Sequence, residues 1–125
     1  MDENQIADAI VENSIQIHRE IGPGLLESVY ENILAYELRI HGFEVASQVV
    51  IPIKYKGRVI DNAFRADLIV GNKVIVEIKS VEELSKVHKK QLLTYLRMTN
   101  LKLGILLNFG EELMKTGIKR VANNL

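Results

Sequence analysis

Residues 66–80 read ADLIVGNKVIVEIKS, and the rest of the chain is organised around this stretch. Taken with period two, Lys73, Ile75, Glu77 and Lys79 face one way and Val74, Val76 and Ile78 the other, the signature of a strand. Gly71-Asn72 is a turn signal, which puts Asp67 on the preceding strand of a hairpin. Asp67, Glu77 and Lys79 then converge on one face of a two-stranded ribbon. Two carboxylates and an ammonium gathered on a sheet suit a divalent metal that activates water. The same alternation also describes a half-solvated antiparallel strand with no chemistry at all. Both readings stand at this level.

Working outward, an amphipathic helix is expected from about Asn4 to Glu20, with Ile6, Ile10, Ile17 and Ile21 near one stripe. It stops at Ile21-Gly22-Pro23-Gly24. A second helix is expected from Leu25 to His41, ended by Gly42. Period two begins at Phe43–Tyr55, where Pro52 marks an edge or a bulge. Lys56-Gly57-Arg58 is a turn, and Val59–Val70 is the next strand, interrupted around Asp61-Asn62. With Lys73–Ser80 these strands make an antiparallel meander. A third helix is expected from Lys86 to Thr99, capped by Ser85, or earlier by Ser80 with Glu83. Leu101–Phe109, LKLGILLNF, is continuously apolar and reads as a strand covered on both faces, reached by a parallel crossover. From Gly110 two readings remain: a helical turn followed by a short strand at Gly117–Ala122, or one continuous helix.

The order α-α-β-β-β-α-β implies an α/β fold, a mixed sheet flanked by helices. The 125 residues suffice for one domain, 1–125, with a core of its own. Hydrophobic residues make up 47% and charged residues 26%, which excludes a disordered chain. The absence of cysteine excludes a disulfide framework, a thiolate zinc site and a cysteine nucleophile. Sixteen basic residues balance sixteen acidic ones, which argues against tight, sequence-blind nucleic-acid binding, although a local basic patch can supply phosphate contacts. The N-terminus lacks a signal-peptide pattern and no apolar run reaches membrane-spanning length, so a soluble cytoplasmic protein is expected.

Other constellations have plain structural explanations beside functional ones. Glu27, Tyr30, Glu31 and Leu34 share one helical face; Glu27 also suits a helix N-terminus, and Tyr30 a core. Gln91 and Tyr95 border the apolar stripe of the third helix, where a polar amide needs a partner in the backbone or in a ligand. His88 lies among Lys86, Lys89 and Lys90, a solvated face or a phosphate patch. No phosphate loop, dinucleotide fingerprint or nucleophile elbow is present.

Asp67 followed ten positions later by Glu77-Ile78-Lys79 resembles the D…(D/E)-x-K signature of the PD-(D/E)XK nuclease superfamily. Gly24-Leu25-Leu26-Glu27-Ser28-Val29-Tyr30 is similar to the G-x-x-E-x-x-Y motif of one branch, the GxxExxY proteins. Val87–Leu96 and Leu107–Gly110 resemble the same branch. The resemblance implies a restriction-endonuclease-like core, built of a helix, a three-stranded meander, a crossover helix and a fourth strand. It also implies a magnesium- or manganese-dependent nuclease acting on the phosphodiester bonds of DNA or RNA. Asp67, Glu77, the Ile78 carbonyl and Glu27 would be the metal ligands. Lys79 would orient the attacking water, and Gln91, Tyr95, Tyr30 and His88 would meet substrate. Ala66 stands where the signature has proline, a change of backbone shape rather than of chemistry. The alternative is a non-catalytic nucleic-acid-binding or regulatory module that keeps the fold. A homodimer is carried over by analogy with nucleases that cut duplexes.

Overall fold

The computed structural model describes all residues 1–125. Helices α1 (Glu3–Ile21) and α2 (Glu27–Ile40) precede strands β1 (Val45–Tyr55), β2 (Arg58–Val70) and β3 (Val74–Lys79). Helix α3 (Lys86–Thr99), β4 (Leu103–Asn108), a 3-10 turn (Met114–Gly117) and β5 (Ile118–Ala122) follow. The sheet order is β1-β2-β3-β4-β5. All neighbours are antiparallel except β3 and β4, which α3 joins as a parallel crossover. This is the α/β, restriction-endonuclease-like architecture expected, and the chain's last segment takes the turn-and-strand form rather than a continuous helix.

Local chemistry explains where the elements begin. Asp2 caps α1 through a capping box with Gln5, so that the helix begins at Glu3, one residue before the expected Asn4. Ser85 caps α3, and His88 completes that box. Gly71 and Asn72 both adopt positive φ (61° and 57°), the conformation a tight β2–β3 hairpin requires. Pro52, which has no N–H to donate, falls where the β1–β2 register shifts, opposite the stretch containing Asn62 at φ 56°. The sequence's two irregularities are therefore one bulge.

Two hydrophobic layers sandwich the sheet. On one face Ile6, Ile10 and Ile17 of α1 and Tyr30, Leu34 and Leu38 of α2 pack on Leu68, Val70, Val74, Val76, Ile78, Ile105 and Leu107. On the other, Leu92 and Leu96 of α3 pack on Ala66, Ile75 and Leu106. β3 is consequently covered on both sides, and Glu77 retains only 6% of its surface. That removes the half-solvated reading of its alternating charges. Glu77 is a buried acid in a central strand, and such a group needs a reason.

One part of the sheet is not sandwiched. β2 pairs with β3 only over Leu68–Val70, whereas it pairs with β1 from Arg58 onwards. The far halves of β1 and β2 thus leave the sheet as a two-stranded ribbon, with Tyr55, Val59 and Ile60 exposed.

Candidate active site

The site forms where the β2–β3 ladder ends. Leu68 and Val76 are the last paired residues, and Asp67 and Glu77 come next. Their carboxylates stand in for the ladder that has stopped. The Asp67 N–H donates to Glu77 Oε2 at 2.8 Å, and the Ile78 N–H donates to Asp67 Oδ2 at 2.8 Å. Each acid is thus held by a short main-chain bond to one of its oxygens.

The strand's alternation slips at this point. Leu68 and Val70 belong to the core beneath α1 and α2, but Ala66 belongs to the core beneath α3. Asp67 is where the change of face occurs. On the facing strand Gln48 has a left-handed φ of 51° and stands opposite Asp67, between the paired Ser47 and Val49. Its Nε2 donates to Glu31 Oε1 at 2.6 Å and reaches Asp67 Oδ1 at 3.4 Å. Glu31, on α2, is buried as well.

Three acids thus share a poorly hydrated neighbourhood, and their electrostatics register it. Burial first, then the Asp67 charge, pushes Glu77 up to about 7, against the opposing pull of the Asp67 N–H and Lys79. Burial and then Asp67 raise Glu31, while its bond from Gln48 opposes the rise. Burial followed by the charges of Glu77 and Asp67 raises the Tyr95 phenol, which stays a neutral hydrogen-bond donor. Tyr95 is positioned by stacking on Phe64 of the ribbon, centroids 3.9 Å apart and planes 4° from parallel.

Lys79 is half-buried at the end of β3, paired in register with Asn108 of β4. Its carbonyl accepts the Phe109 N–H at 2.8 Å. Asn108 is fully buried; its Oδ1 accepts from the Val81 and Gly110 N–H groups, while its Nδ2 has no partner. Asn108 therefore sets the path of the chain as it leaves Lys79.

The remaining sequence-predicted residues are placed as follows. Glu27 is exposed at the start of α2 and lines a cleft of about 390 Å³ with Leu25, Leu26, Ser28 and Ser80. That cleft adjoins Lys79 through Ser80, whose hydroxyl donates to the Leu25 carbonyl. Tyr30 is completely buried, stacked on Phe109 at 4.3 Å. Its hydroxyl donates to the Gly22 carbonyl and accepts the Leu25 N–H, so it shapes the α1–α2 loop and has no surface to offer a substrate. Gln91 is exposed on α3, one turn before Tyr95. His88 accepts the Ser85 N–H and serves the α3 cap. Gln48 is what sequence reasoning overlooked; Glu31 was placed on the Glu27 face of the second helix and Asn108 within the Leu107–Gly110 resemblance, neither with a role in the site. Asn108 left a further signal, as the single polar side chain in the run from Leu103 to Phe109.

The donor set suits a hard divalent cation. It is made of oxygens, carries excess negative charge in a buried place, and leaves Glu77 Oε1 free and Asp67 Oδ1 with only a long 3.4 Å contact from Gln48. No group of three or more His, Cys, Asp or Glu side chains is arranged to hold a metal. The shell would therefore be two carboxylates completed by main-chain oxygen and water, as magnesium accepts.

Comparison with known proteins agrees with this fold. A solved structure described as "Crystal structure of SSO0001" resembles the chain with a TM-score of 0.57 at 24% identity, a likeness of fold. The match covers 79% of this chain and 51% of that one, so the chain spans about half the length of that relative. No curated protein matches. No helix is long and apolar enough to cross a membrane. The family model of the PD-(D/E)XK nuclease superfamily matches residues 4–121, nearly the whole chain, and the protein belongs to that superfamily.

Proposed function

We propose that this protein is a metal-dependent nuclease that hydrolyses the phosphodiester bonds of nucleic acid, with Asp67, Glu77 and Lys79 as its catalytic residues. The observation that carries this reading is the buried Glu77, held against Asp67 at the end of the β2–β3 ladder and pushed up to about 7, with the half-buried Lys79 as the cation that offsets it. Asp67 and Glu77, with the Ile78 carbonyl, would hold Mg²⁺ or Mn²⁺. Such a cation supplies Lewis-acid charge and lowers the pKa of a coordinated water. Lys79 orients the attacking water and offsets the charge that builds on the phosphate oxygens as the leaving P–O bond breaks. The Tyr95 phenol, neutral and fixed by Phe64, is placed to donate to a phosphate oxygen or a water. Glu31 and Glu27 lie one turn apart on α2, Glu31 beside Asp67 and Glu27 beside Ser80, and either end of that pair can anchor a further water. The Gly24–Tyr30 segment supports placing the chain in the GxxExxY branch.

The test is metal-dependent cleavage of labelled DNA and RNA by wild type and Lys79→Ala. The variant should retain its fold and lose at least about a hundredfold in rate, the usual scale for removing one transition-state charge partner. Full activity in Lys79→Ala contradicts the assignment. Nucleic-acid binding by wild type without any cleavage would instead support the non-catalytic module.

A further inference from the structure

The formal charge of zero conceals a division of the molecule into two oppositely charged parts. Residues 1–44, which hold α1 and α2, contain nine acidic and two basic residues, a net of −7. Residues 45–125 contain fourteen basic and seven acidic residues, a net of +7. Since α1 and α2 cover one face of the sheet and α3 the other, one face is acidic and the other basic. α3 carries Lys86, Lys89, Lys90 and Arg97 and no acid. The ribbon carries Lys54, Lys56, Arg58 and Arg65 against Asp61 alone.

The ribbon's placement gives that charge a direction. Its root is Asp67, and the Phe64–Tyr95 stack fixes it against α3. From Asp67 to Arg58 it extends nine residues, on the order of 30 Å. Its tip is open: Tyr55 is 63% and Val59 53% exposed, and the Lys56 ammonium lies 5.5 Å from the Tyr55 ring centroid.

We infer that the β1–β2 ribbon enters the major groove of duplex DNA while the α3 lysines hold the adjacent phosphates, so that double-stranded DNA is the partner. The inference rests on the proposed function for nucleic acid as the substrate class and goes further in naming its form. A two-stranded ribbon fits the B-DNA major groove, about 12 Å wide and 8.5 Å deep. The deep, narrow major groove of A-form RNA does not admit it. Single strands call for a platform of open aromatic faces. On the basic side Phe64 and Tyr95 cover each other, which leaves Tyr55 alone, and the exposed Tyr36 lies on acidic α2.

The test is fluorescence anisotropy in EDTA with a labelled DNA duplex, an RNA duplex of the same sequence and the single DNA strand. The full chain is compared with Lys54→Ala/Lys56→Ala/Arg58→Ala and with Lys102→Ala/Lys115→Ala/Lys119→Ala, which removes equal charge near the opposite edge of the sheet. Melting temperatures of both variants confirm that they fold. Wild type should bind duplex DNA at least about tenfold more tightly than the other two ligands. The ribbon variant should lose about tenfold in affinity, with the slope of log K against log salt shallower by roughly 2 to 3. The control should lose much less. Equal losses in both variants, an unchanged ribbon variant, preference for RNA or single strands, or no binding at all overturns the inference. The two proposals fail separately. Cleavage that ignores the ribbon variant overturns the ribbon and spares the activity, whereas ribbon-dependent duplex binding without metal-dependent cleavage does the reverse.

Discussion

Glu77 shows how burial and a neighbouring charge turn a strand residue into a site. In the unfolded chain its carboxyl titrates near 4.5, and in the fold near 7. Between these values the unfolded state releases its proton first, so the folded state binds more protons and stability falls as pH rises. The loss accumulates from about pH 4.5 to pH 7, levels off above, and amounts to roughly 3 kcal/mol. Glu77→Gln removes this cost and keeps an oxygen for the Asp67 N–H. In EDTA it should therefore be more stable than wild type at pH 8, with the gap closing towards pH 5, as urea denaturation at several pH values would measure. A constant gap would show that the acid is not strained. Asp67, Glu77 and Lys79 were legible in the sequence because a period-two stretch and a Gly-Asn turn fix which residues meet. Glu31 and Gln48 were not. The left-handed backbone at Gln48 has no marker such as glycine, and which acid of α2 reaches the sheet depends on where that helix packs.

At the level of elements, the three helices and first four strands were readable because apolar periodicity changes cleanly along the chain, with helix and strand bounds shifting by one or two residues. The last segment stayed open between a strand and a helix. What periodicity could not show is that β3 is covered on both faces, since its partners β4 and α3 come from later in the chain. Nor could it show that the β2–β3 ladder stops at Leu68, which is what frees Asp67 and Glu77 for chemistry. The end of β4 illustrates how tightly the strand termini are joined. A Cβ on Gly110 would lie 2.2 Å from the Val81 carbonyl oxygen, in the loop that leaves Lys79. Gly110→Ala should therefore cost about 1–3 kcal/mol, because backbone gives way less readily than a flexible side chain. The urea midpoint should fall with an unchanged slope. An unaltered midpoint would mean that the two loops are not in contact.

For the whole molecule, the formal charge was the least informative number. A sum of zero suggested weak affinity for nucleic acid, yet the fold sorts that zero into an acidic helical layer and a basic face that carries α3 and the ribbon. Sequence order made the division countable, but only the sheet topology shows that the two halves lie on opposite sides. The acids of the site sit where the basic ribbon begins, the place at which a phosphate backbone would arrive. The central claim is that Asp67 and Glu77 form a divalent-cation site. Thermal unfolding at pH 7.5 with and without millimolar Mg²⁺ or Mn²⁺, on wild type and Asp67→Ala, tests it most directly. A cation that binds only the folded chain stabilises it by about 2.7 kcal/mol at a hundred times its dissociation constant, a rise of several degrees. That rise is expected in wild type and should be absent in Asp67→Ala. An equal response in the two proteins, or none in wild type, would contradict the site.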